Sequence, residues 1–474
     1  MEEACARASQ LADIIELRLD CVEEAIWTAE LASLIRKQSR PLILTFRPSE
    51  QGGRRALTRA AREAFWKGDW GASRTALLDI ESDLVIDGSF DWPRVIASHH
   101  HFSGVPDDLE TIYERLAATS AHVVKVAVGA NDITDCIRIF KLLDRARSEK
   151  RNLIAIAMGD AGVATRILGP SRGAFLTYGS LEDASATAPG QVTARQLRSV
   201  YRIDEINEDT MICGLVGRPV MHSVSPHMHN AAFAAAGVNG VYLPLEVRDV
   251  HAFIKRMVRP ETRELDWNLR GLSVTAPHKS SVMELLDSVE PDAKEIGAVN
   301  TIVIEDDGLH GYNTDVHGLM APLRERVSSL NGLSVAVIGA GGAARAAVWA
   351  LQKDRARVTL FARAPMKAGS LAESFGVSCE PLAAASFKNY DVVINATPAN
   401  PGVAGQLAGA KLVYDLVYNP IETRFLKEAR DAGCETLGGL EMLAAQAQLQ
   451  FELWTGKKPA NRLMYDAGLA ALRQ

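Results

Sequence analysis

The sequence has 474 residues, which is too long for one ordinary domain, so we expect two or three. Hydrophobic residues make up 47% and charged residues 23%, a balance typical of soluble globular proteins. The net charge of −6 gives no electrostatic reason to expect a nucleic-acid partner.

Six cysteines are scattered along the chain without a CxxC pair. This spacing fits a reducing compartment and argues against a disulfide framework or a zinc knuckle. No basic leader precedes an apolar stretch, and no apolar run reaches about 18 residues. We therefore expect a cytoplasmic protein with no membrane partner.

The first part of the chain, residues 1–205, alternates between short apolar runs and helix-like stretches. Seven of the runs read as buried parallel strands: DIIELRLD, PLILTFRP, TALLDIES, RVIASHH, HVVKVAV, NLIAIAMG and GAFLTYG. This α/β alternation predicts a (β/α)8-type barrel, which needs eight strands. The chain opens on EEACARASQLA, which reads as a helix, so the expected missing strand is the first one.

Three adjacent histidines end the fourth run, in RVIASHHHFSGVP. Neighbours on a strand point to opposite faces, so His99 and His101 cannot share a ligand site with His100, and a metal site is disfavoured. The small apolar residues of this run suit the outer face of a barrel. We therefore expect Ser98 and His100 to point inward, near the C-terminal mouth where barrel chemistry occurs.

Lys125 lies between valines in the fifth run. Burial lowers the pKa of an ammonium, which makes the amine a nucleophile for ketones; a lysine that snorkels from the outer face is the alternative. A histidine and a lysine on adjacent strands suggest Schiff-base chemistry with proton transfer. Three cations near the strand ends, Arg18, Arg47 and Arg166, suggest an anionic substrate, and Glu16 is the acidic residue near them.

A polar segment, 204–210, precedes a restart of the β/α pattern at MICGLVG. Residues 209–315 read as a small α/β domain with polar residues at its turns, and GAVNTIV places Asn300 inside an apolar strand, where an amide needs a partner. Singly, such residues can be helix caps or solvated groups. Together they suit reduction of a polyhydroxylated keto acid, and they are Ser223, Ser225, Thr275, Lys279, Asn300 and Asp315.

Residues 316–439 read as a Rossmann nucleotide-binding domain. Gly339, Gly341 and Ala344 form GxGxxA between an apolar strand and an alanine-rich helix, the context in which a backbone turn and a helix N-terminus bind a pyrophosphate. A glycine-rich turn without a ligand is the alternative. The strand YDVVINATP ends at Thr397, and helices from 440 to 474 are expected to fold back on the middle domain.

The strand after this turn ends at Arg363, with Lys367 following, where an acidic residue would hold the ribose of NAD. A carboxylate repels a 2′-phosphate, whereas Arg and Lys attract it. The sequence therefore predicts NADP; a solvated basic turn is the alternative.

The second half resembles the shikimate dehydrogenase family in SVSPHMHN, GLSVTAPHK, GAVNTIV, GYNTD, GAGGAARA, INATP, DLVYNP and GGLEMLAAQAQLQFELWTG. The resemblance implies that Lys279 and Asp315 form the catalytic pair. It implies that substrate is held by Ser223, Ser225, Thr275, Asn300, Tyr418 and Gln446, and NADP by Gly339, Ala340, Gly341, Gly342, Ala343, Arg363, Lys367, Thr397 and Gly439. Two positions where the family has Asn are Ser273 and Ala362 here.

The first half resembles the type I 3-dehydroquinate dehydratases in IELRLD, TFRPSEQGG, IASHHHF, VVKVAV and ATAPGQ. The resemblance implies that His100 is the base and Lys125 the Schiff-base lysine. It implies substrate binding by Glu16, Arg18, Arg47, Arg166, Thr187 and Gln191. The family's Glu before Gly-Gly, which partners the histidine, is Gln51 here, with Glu50 adjacent.

Together the two resemblances imply a bifunctional enzyme of the shikimate pathway. The first half would dehydrate 3-dehydroquinate to 3-dehydroshikimate, and the second would reduce that ketone to shikimate with NADPH. One alternative is a working dehydrogenase fused to an inactive barrel that serves as a binding or scaffold domain, and another is a quinate dehydrogenase. The sequence leaves the oligomeric state open.

Overall fold

The computed structural model describes residues 2–22, 33, 35, 37–67, 76–86, 94–182, 190–398 and 400–473, apart from the side chains of residues 367 and 404. The chain folds into two compact units. The first consists of residues up to Thr210 with Pro244–Met257 and Thr262–Trp267. The second consists of Met211–Leu243, Val258–Glu261 and residues from Asn268 onward.

The first unit contains a parallel sheet whose six strands pair in chain order, as the β/α alternation predicts. The strands are β1 (Ile15–Arg18), β2 (Leu42–Thr45), β3 (Leu77–Glu81), β4 (Val95–His101), β5 (Val123–Gly129) and β6 (Leu153–Met158). Between and after them lie α1 (Glu2–Leu11), α2 (Arg59–Lys67), α3 (Ser82–Val85), α4 (Leu109–Ala117), α5 (Cys136–Ser148), α6 (Val163–Leu168) and α7 (Ala194–Ser199). The α/β barrel class is confirmed for this part of the chain.

The prediction of a seventh strand at GAFLTYG is wrong, because these residues do not form a strand. In this run Ala174 forms one parallel bridge to Leu153 of β6, and the following residues up to Gly179 have no ladder partner. The next bridge joins Ser180 to Thr193. The run is apolar enough to be a strand, but after one bridge its backbone leaves β6.

The interior of the first sheet is an apolar layer. Val123 and Ala127 of β5 pack with Ile96 of β4 and Ile154 of β6. Because side chains alternate along a strand, Lys125 lies on the same face as Val123 and Ala127. This register aims the Lys125 side chain into the sheet interior.

The second unit begins with a mixed sheet in the order β10-β12-β11-β9-β7-β8. Its strands are β7 (Met211–Gly217), β8 (Gly240–Glu246), β9 (Leu269–Val274), β10 (Ser288–Val289), β11 (Thr301–Glu305) and β12 (Gly308–Tyr312). The helices of this stretch are α8 (Ser225–Ala235) and α10 (Pro291–Ile296), whereas α9 (Val250–Phe253) and the last three residues of β8 are counted in the first unit. Asn300 immediately precedes β11 and is not inside it, so its predicted position in the strand is wrong by one residue.

A parallel sheet in the order β15-β14-β13-β16-β17-β18 follows. Its strands are β13 (Ser334–Ile338), β14 (Arg357–Ala362), β15 (Ser378–Pro381), β16 (Val392–Asn395), β17 (Leu412–Asp415) and β18 (Glu435–Leu437). The helices are α11 (Asp315–Arg326), α12 (Gly342–Lys353), α13 (Pro365–Phe375) and α14 (Arg424–Asp431). The strand order reverses direction between β13 and β16, and ligands bind at this switch point in doubly wound sheets.

The last two helices, α15 (Gly439–Thr455) and α16 (Leu463–Leu472), return to the mixed sheet. Phe451 and Trp454 of α15 share a buried cluster with Cys213 of β7 and Phe233 of α8. This packing places the α15 residue Gln446 next to the strand ends of the mixed sheet. None of the described helices has the length and apolarity needed to cross a membrane.

Candidate active sites

A cavity lies where the predicted dehydratase residues of the first unit converge. The catalytic candidates His100 and Lys125 line it. So do five of the six predicted binding residues: Glu16, Arg18, Arg47, Arg166 and Gln191. The sixth, Thr187, lies outside the described residues. These side chains come from β1, β4, β5, α6 and the segments after β2 and before α7, so the sheet collects residues that are far apart in sequence.

Lys125 is buried in this cavity and holds two polar partners. Its Nζ donates to Oδ2 of Asp79 at 2.7 Å and to the hydroxyl of Tyr178 at 3.3 Å. Burial lowers the pKa of the Lys125 ammonium, and the Asp79 carboxylate opposes that effect. The amine is therefore fixed in place at the cavity wall, in an environment that favours release of its proton.

Asp79 connects Lys125 to the histidine. Its Oδ1 pairs with Nη2 of Arg47 at 2.7 Å, and Nη1 of Arg47 contacts the ring of His100. Burial lowers the pKa of His100 well below its ordinary value, and the cations Arg47 and Lys125 lower it further. The His100 ring is neutral at neutral pH and can accept a proton.

The three histidines lie on different sides of β4, as the alternation predicts. His100 faces the cavity, whereas His99 lies beside Ile112 and Leu116 of α4 on the opposite face. Nδ1 of His101 is 2.9 Å from the carbonyl oxygen of Gly104. The histidine run therefore places one ring in the cavity and no two rings in a common ligand set.

Arg166 is the strongest indication of an anionic ligand. Its side chain is only 2% exposed, yet among the described residues its Nε and Nη2 atoms have no hydrogen-bond partner. Burial lowers the pKa of Arg166 to about 10, which still leaves the guanidinium charged at neutral pH. A buried charge without a counter-ion costs several kcal/mol, and an anionic ligand in the cavity supplies that counter-ion.

The residue that differs from the dehydratase pattern, Gln51, also lines the cavity. Its Oε1 is buried and has no partner among the described residues. The adjacent Glu50 is exposed and accepts from Ser49 at 3.4 Å, so it does not replace the family's glutamate. The carboxylate that accepts from Nζ of the predicted Schiff-base lysine is instead Asp79.

Asp79 and Tyr178 were missed by the sequence analysis. Asp79 lies inside the apolar run TALLDIES, and a charge in a buried strand is the same signal that singled out Lys125. Tyr178 lies in the run interpreted as the seventh strand, where an aromatic residue is unremarkable. Only the fold shows that its hydroxyl reaches Lys125.

A second site lies at the ends of β9 and β11 in the second unit. Nζ of Lys279 donates to Oδ2 of Asp315 at 2.5 Å, and the amide of Asn300 donates to Oδ1 of the same carboxylate at 2.8 Å. The Asn300 amide also donates to Thr314 at 3.0 Å and to Gln446 at 3.4 Å. This network joins the predicted catalytic pair to two of the predicted substrate-binding residues.

Of the hydroxyl residues predicted for the second site, Ser223, Ser225 and Thr275 lie at turns of the mixed sheet, and Tyr418 follows β17 of the parallel sheet. Ser223 donates to Ser225 at 3.1 Å, at the start of α8. Burial raises the pKa of Tyr418, and its contact with Ser223 lowers it. Thr275 follows β9, and its N–H donates to the carbonyl oxygen of Val216 at 2.8 Å.

The glycine turn after β13 fits a dinucleotide. Gly339 has φ +122°, and a Cβ there would lie 3.0 Å from the carbonyl oxygen of Ala396. A Cβ on Gly341 would meet no atom within 4 Å, so open space lies before the N-terminus of α12. This arrangement can accept a pyrophosphate on backbone N–H groups. Ala340, Gly342 and Ala343 complete the turn and open α12.

The other predicted NADP residues surround this turn. Arg363 is exposed directly after β14, Thr397 follows β16, and Gly439 begins α15 against the carbonyl of Leu416. Lys367 is in α13, and its side chain lies outside the described atoms. A Cβ on Gly342 would lie 3.6 Å from Cδ of Lys279, so the lysine predicted to be catalytic borders the nucleotide turn.

Comparison with protein families gives four matches. Residues 1–208 match the family model for type I 3-dehydroquinase, and residues 215–302 match the shikimate dehydrogenase substrate binding domain. Residues 322–409 match shikimate/quinate 5-dehydrogenase, and residues 439–467 match the shikimate 5′-dehydrogenase C-terminal domain. Together these matches span most of the chain.

Two relatives match over nearly the whole of this chain. The bifunctional 3-dehydroquinate dehydratase/shikimate dehydrogenase of Arabidopsis thaliana, a chloroplastic protein, is 34% identical over 96% of this chain and 79% of its own length. The shikimate biosynthesis protein AroDE of Chlamydia pneumoniae is 30% identical over 94% of this chain and 91% of its own length.

Solved structures match the second half. A shikimate dehydrogenase in complex with NADP+ has a TM-score of 0.51 and 37% identity, covering 57% of this chain and 98% of that chain. The shikimate 5-dehydrogenase of Thermus thermophilus in complex with shikimate has a TM-score of 0.50 and 36% identity, covering 56% of this chain and 100% of that chain.

Proposed function

Because the chain belongs to the family of bifunctional 3-dehydroquinate dehydratase/shikimate dehydrogenases, we propose how its residues divide the two reactions. The chain is a lyase and an NADP-dependent oxidoreductase of the shikimate pathway. The cavity of Lys125 and His100 carries out the dehydration, and the site of Lys279 and Asp315 carries out the reduction. The product of the first reaction is the substrate of the second.

The dehydration proceeds through a Schiff base. The Nζ atom of Lys125 attacks the ketone of 3-dehydroquinate, and loss of water gives an iminium that withdraws electrons from the neighbouring C2. His100 removes a proton from C2, and the electron pair expels the C1 hydroxyl as water, aided by the same ring. Hydrolysis of the iminium then releases 3-dehydroshikimate and regenerates the amine of Lys125. The observation that carries this assignment is the buried Lys125 amine and the neutral His100 ring facing one cavity.

Arg166 binds the substrate carboxylate. We expect Arg166→Met to lower kcat/KM for 3-dehydroquinate about 10- to 150-fold, because a hydrogen-bonded charge pair contributes about 1.5–3 kcal/mol. The melting temperature should not fall, since Met removes a buried charge whose Nε and Nη2 atoms have no hydrogen-bond partner among the described residues. Steady-state kinetics and thermal melts measure both effects. Arg195→Ala, at an exposed position of α7, is the matched control, and an equal kinetic loss in both variants would contradict this role.

In the second site the chain's own groups bind the ketone and handle its proton. When bound, NADPH supplies the hydride to the carbonyl carbon of 3-dehydroshikimate. Lys279 donates a proton towards the oxygen that becomes the hydroxyl, and Asp315, 2.5 Å from Nζ, holds the lysine in position. The hydroxyls and amides of the site hold the ring substituents, and they belong to Ser223, Ser225, Thr275, Asn300, Tyr418 and Gln446.

Arg363 selects NADPH by binding its 2′-phosphate. We expect Arg363→Ala to lower kcat/KM with NADPH about 10- to 150-fold, because a charge-assisted contact of about 1.5–3 kcal/mol is lost. The value with NADH should stay unchanged. Arg424→Ala serves as the control, because it removes an exposed arginine from α14, a helix of the same nucleotide domain. An unchanged preference for NADPH in Arg363→Ala would show that another group reads the phosphate.

The assigned domains are a dehydratase barrel over 1–205, a substrate domain over 209–315 with the helices of 440–474, and a nucleotide domain over 316–439. The polar segment near Thr210, where the first and longest stretch of the first compact unit ends, supports the first boundary. A cytoplasmic location is supported by the six cysteines, all of which are free thiols. The alternative of an inactive barrel is motivated by Gln51, which stands where the dehydratase family has glutamate. A trapped Lys125 adduct would contradict this alternative, and its absence would support it.

A further inference from the structure

Tyr178 has a position that the mechanism above leaves unused. Its hydroxyl oxygen is 3.3 Å from Nζ of Lys125, and the centroid of its ring is 4.4 Å from the same nitrogen. The ring lines the cavity together with His100 and Arg166. Tyr178 therefore meets the nucleophile from the cavity side, where the substrate carbonyl must arrive.

The Tyr178 hydroxyl has one hydrogen left to donate. In the contact with Lys125 the oxygen accepts a hydrogen bond, and none of the described residues accepts one from the hydroxyl. Burial raises the pKa of Tyr178 well above its ordinary value, and the carboxylates Glu16 and Asp79 raise it further. The group therefore keeps its hydrogen at neutral pH and can donate it to a ligand in the cavity.

Among the described residues, Nζ of Lys125 has two hydrogen-bond partners, Asp79 and Tyr178, and of these only Tyr178 carries a hydrogen to donate. Asp79 carries no proton, because Arg47 and Lys125 hold the pKa of its buried carboxyl far below the ordinary range. The ring of His100, whose nitrogens contact Arg47, makes no hydrogen bond to Nζ of Lys125. When Nζ attacks a carbonyl carbon, the attacking nitrogen and the carbonyl oxygen become bonded to one carbon. A hydroxyl within hydrogen-bond distance of Nζ is then also within reach of that oxygen.

We propose that Tyr178 is a catalytic residue that relays a proton from Lys125 to the substrate oxygen as the carbinolamine forms, a role that rests on the proposed Schiff-base function of Lys125. The nitrogen lone pair forms the C–N bond, and the C=O π pair moves to oxygen. That oxygen takes the hydrogen of Tyr178, and the phenolate oxygen takes one from the quaternised nitrogen. Nothing is oxidised or reduced, and the tyrosine is regenerated. The relay runs backwards when the product carbinolamine collapses.

The variant Tyr178→Phe keeps the ring and removes only the hydroxyl. In rapid mixing of the full chain with 3-dehydroquinate, followed by borohydride reduction, we expect the Lys125 adduct to form about 10²–10⁴-fold more slowly. After long incubation the final adduct yield should equal that of the wild type, which shows an intact site. Substrate deuterated at C2 should give a smaller isotope effect on the variant than on the wild type, because nitrogen–oxygen proton transfer then limits the rate.

Tyr113→Phe is the matched control. The Tyr113 hydroxyl donates to Glu149 at 2.6 Å, and this hydrogen bond lies outside the cavity. The control variant should leave the rate of adduct formation unchanged. If Tyr178→Phe forms the adduct as fast as the wild type, the relay is overturned while the Schiff-base function stands. If the wild type dehydrates the substrate with no adduct on Lys125, the proposed function is overturned and the relay with it.

Discussion

Lys125→Ala should remove the dehydratase activity and leave the reductase activity intact. Loss of a covalent nucleophile costs on the order of 10⁴–10⁶-fold in kcat, because neither solvent nor a neighbouring side chain can replace the electron sink. Among the described residues no other lysine lines this cavity. Dehydration of 3-dehydroquinate and NADPH-dependent reduction of 3-dehydroshikimate, measured separately on the same preparation, test the separation of the two sites.

The adduct itself gives a second readout. Borohydride reduction with substrate should add the mass of the reduced ligand to the Lys125 peptide of the wild type and to no peptide of the variant. Lys37→Ala, at a side chain that is 65% exposed, is the control and should behave as the wild type. An active wild type whose adduct maps to another lysine would contradict the assignment. A wild type with neither activity nor adduct would support the inactive-barrel alternative.

The sequence was sufficient to predict that His100 and Lys125 share one cavity, because two simple rules apply to parallel strands. Alternation places His100 and Ser98 on one face, and a lysine among valines must be buried. Both rules act within one strand, and both hold in the structure. The predicted β/α order also placed the six strands correctly, because buried parallel strands read as continuous apolar runs.

What the sequence could not give is the pairing of groups from different strands. Asp79 of β3 pairs with Arg47, which follows the adjacent β2, and with Lys125 of β5, which lies one strand beyond the adjacent β4. GAFLTYG failed as a strand because an apolar run does not specify its partner. Asn300 was displaced by one residue, a common uncertainty at strand ends, yet its amide found the partner that burial requires.

In the second site the motifs carried more information than periodicity. The turn at Gly339 could be recognised from its glycine motif. The structure gives the reason for the glycine, because the positive φ and the close approach to Ala396 leave no room for a Cβ. The link between this turn and Lys279 was not visible in the sequence, since about 60 residues separate them and only the crossover of the chain brings them together. Arg363 is exposed, and its predicted role rests on its position directly after β14. Kinetics with NADPH and NADH are therefore the test of that role.

His100→Ala should lower the dehydratase kcat about 10²–10⁴-fold, the usual contribution of a general base. It should still form the Lys125 adduct, since that step does not use the His100 ring. The pH profile gives an independent check. Because burial and two cations lower the pKa of His100 well below about 6.5, the ring stays neutral and competent as the pH falls. The acid limb of kcat/KM in the wild type should therefore lie below that pH, and it should be absent from the variant.

His99→Ala is the matched control, because His99 lies on the opposite face of β4 against α4. It should change the melting temperature more than the dehydratase rate, and neither variant should affect the reduction of 3-dehydroshikimate. A loss of dehydratase activity in His99→Ala with none in His100→Ala would mean that His99, and not His100, is the β4 side chain that acts in the cavity. A His100 variant that forms no adduct would assign the ring to the Schiff-base step as well, since the amine of Lys125 would then depend on the histidine for its proton transfer.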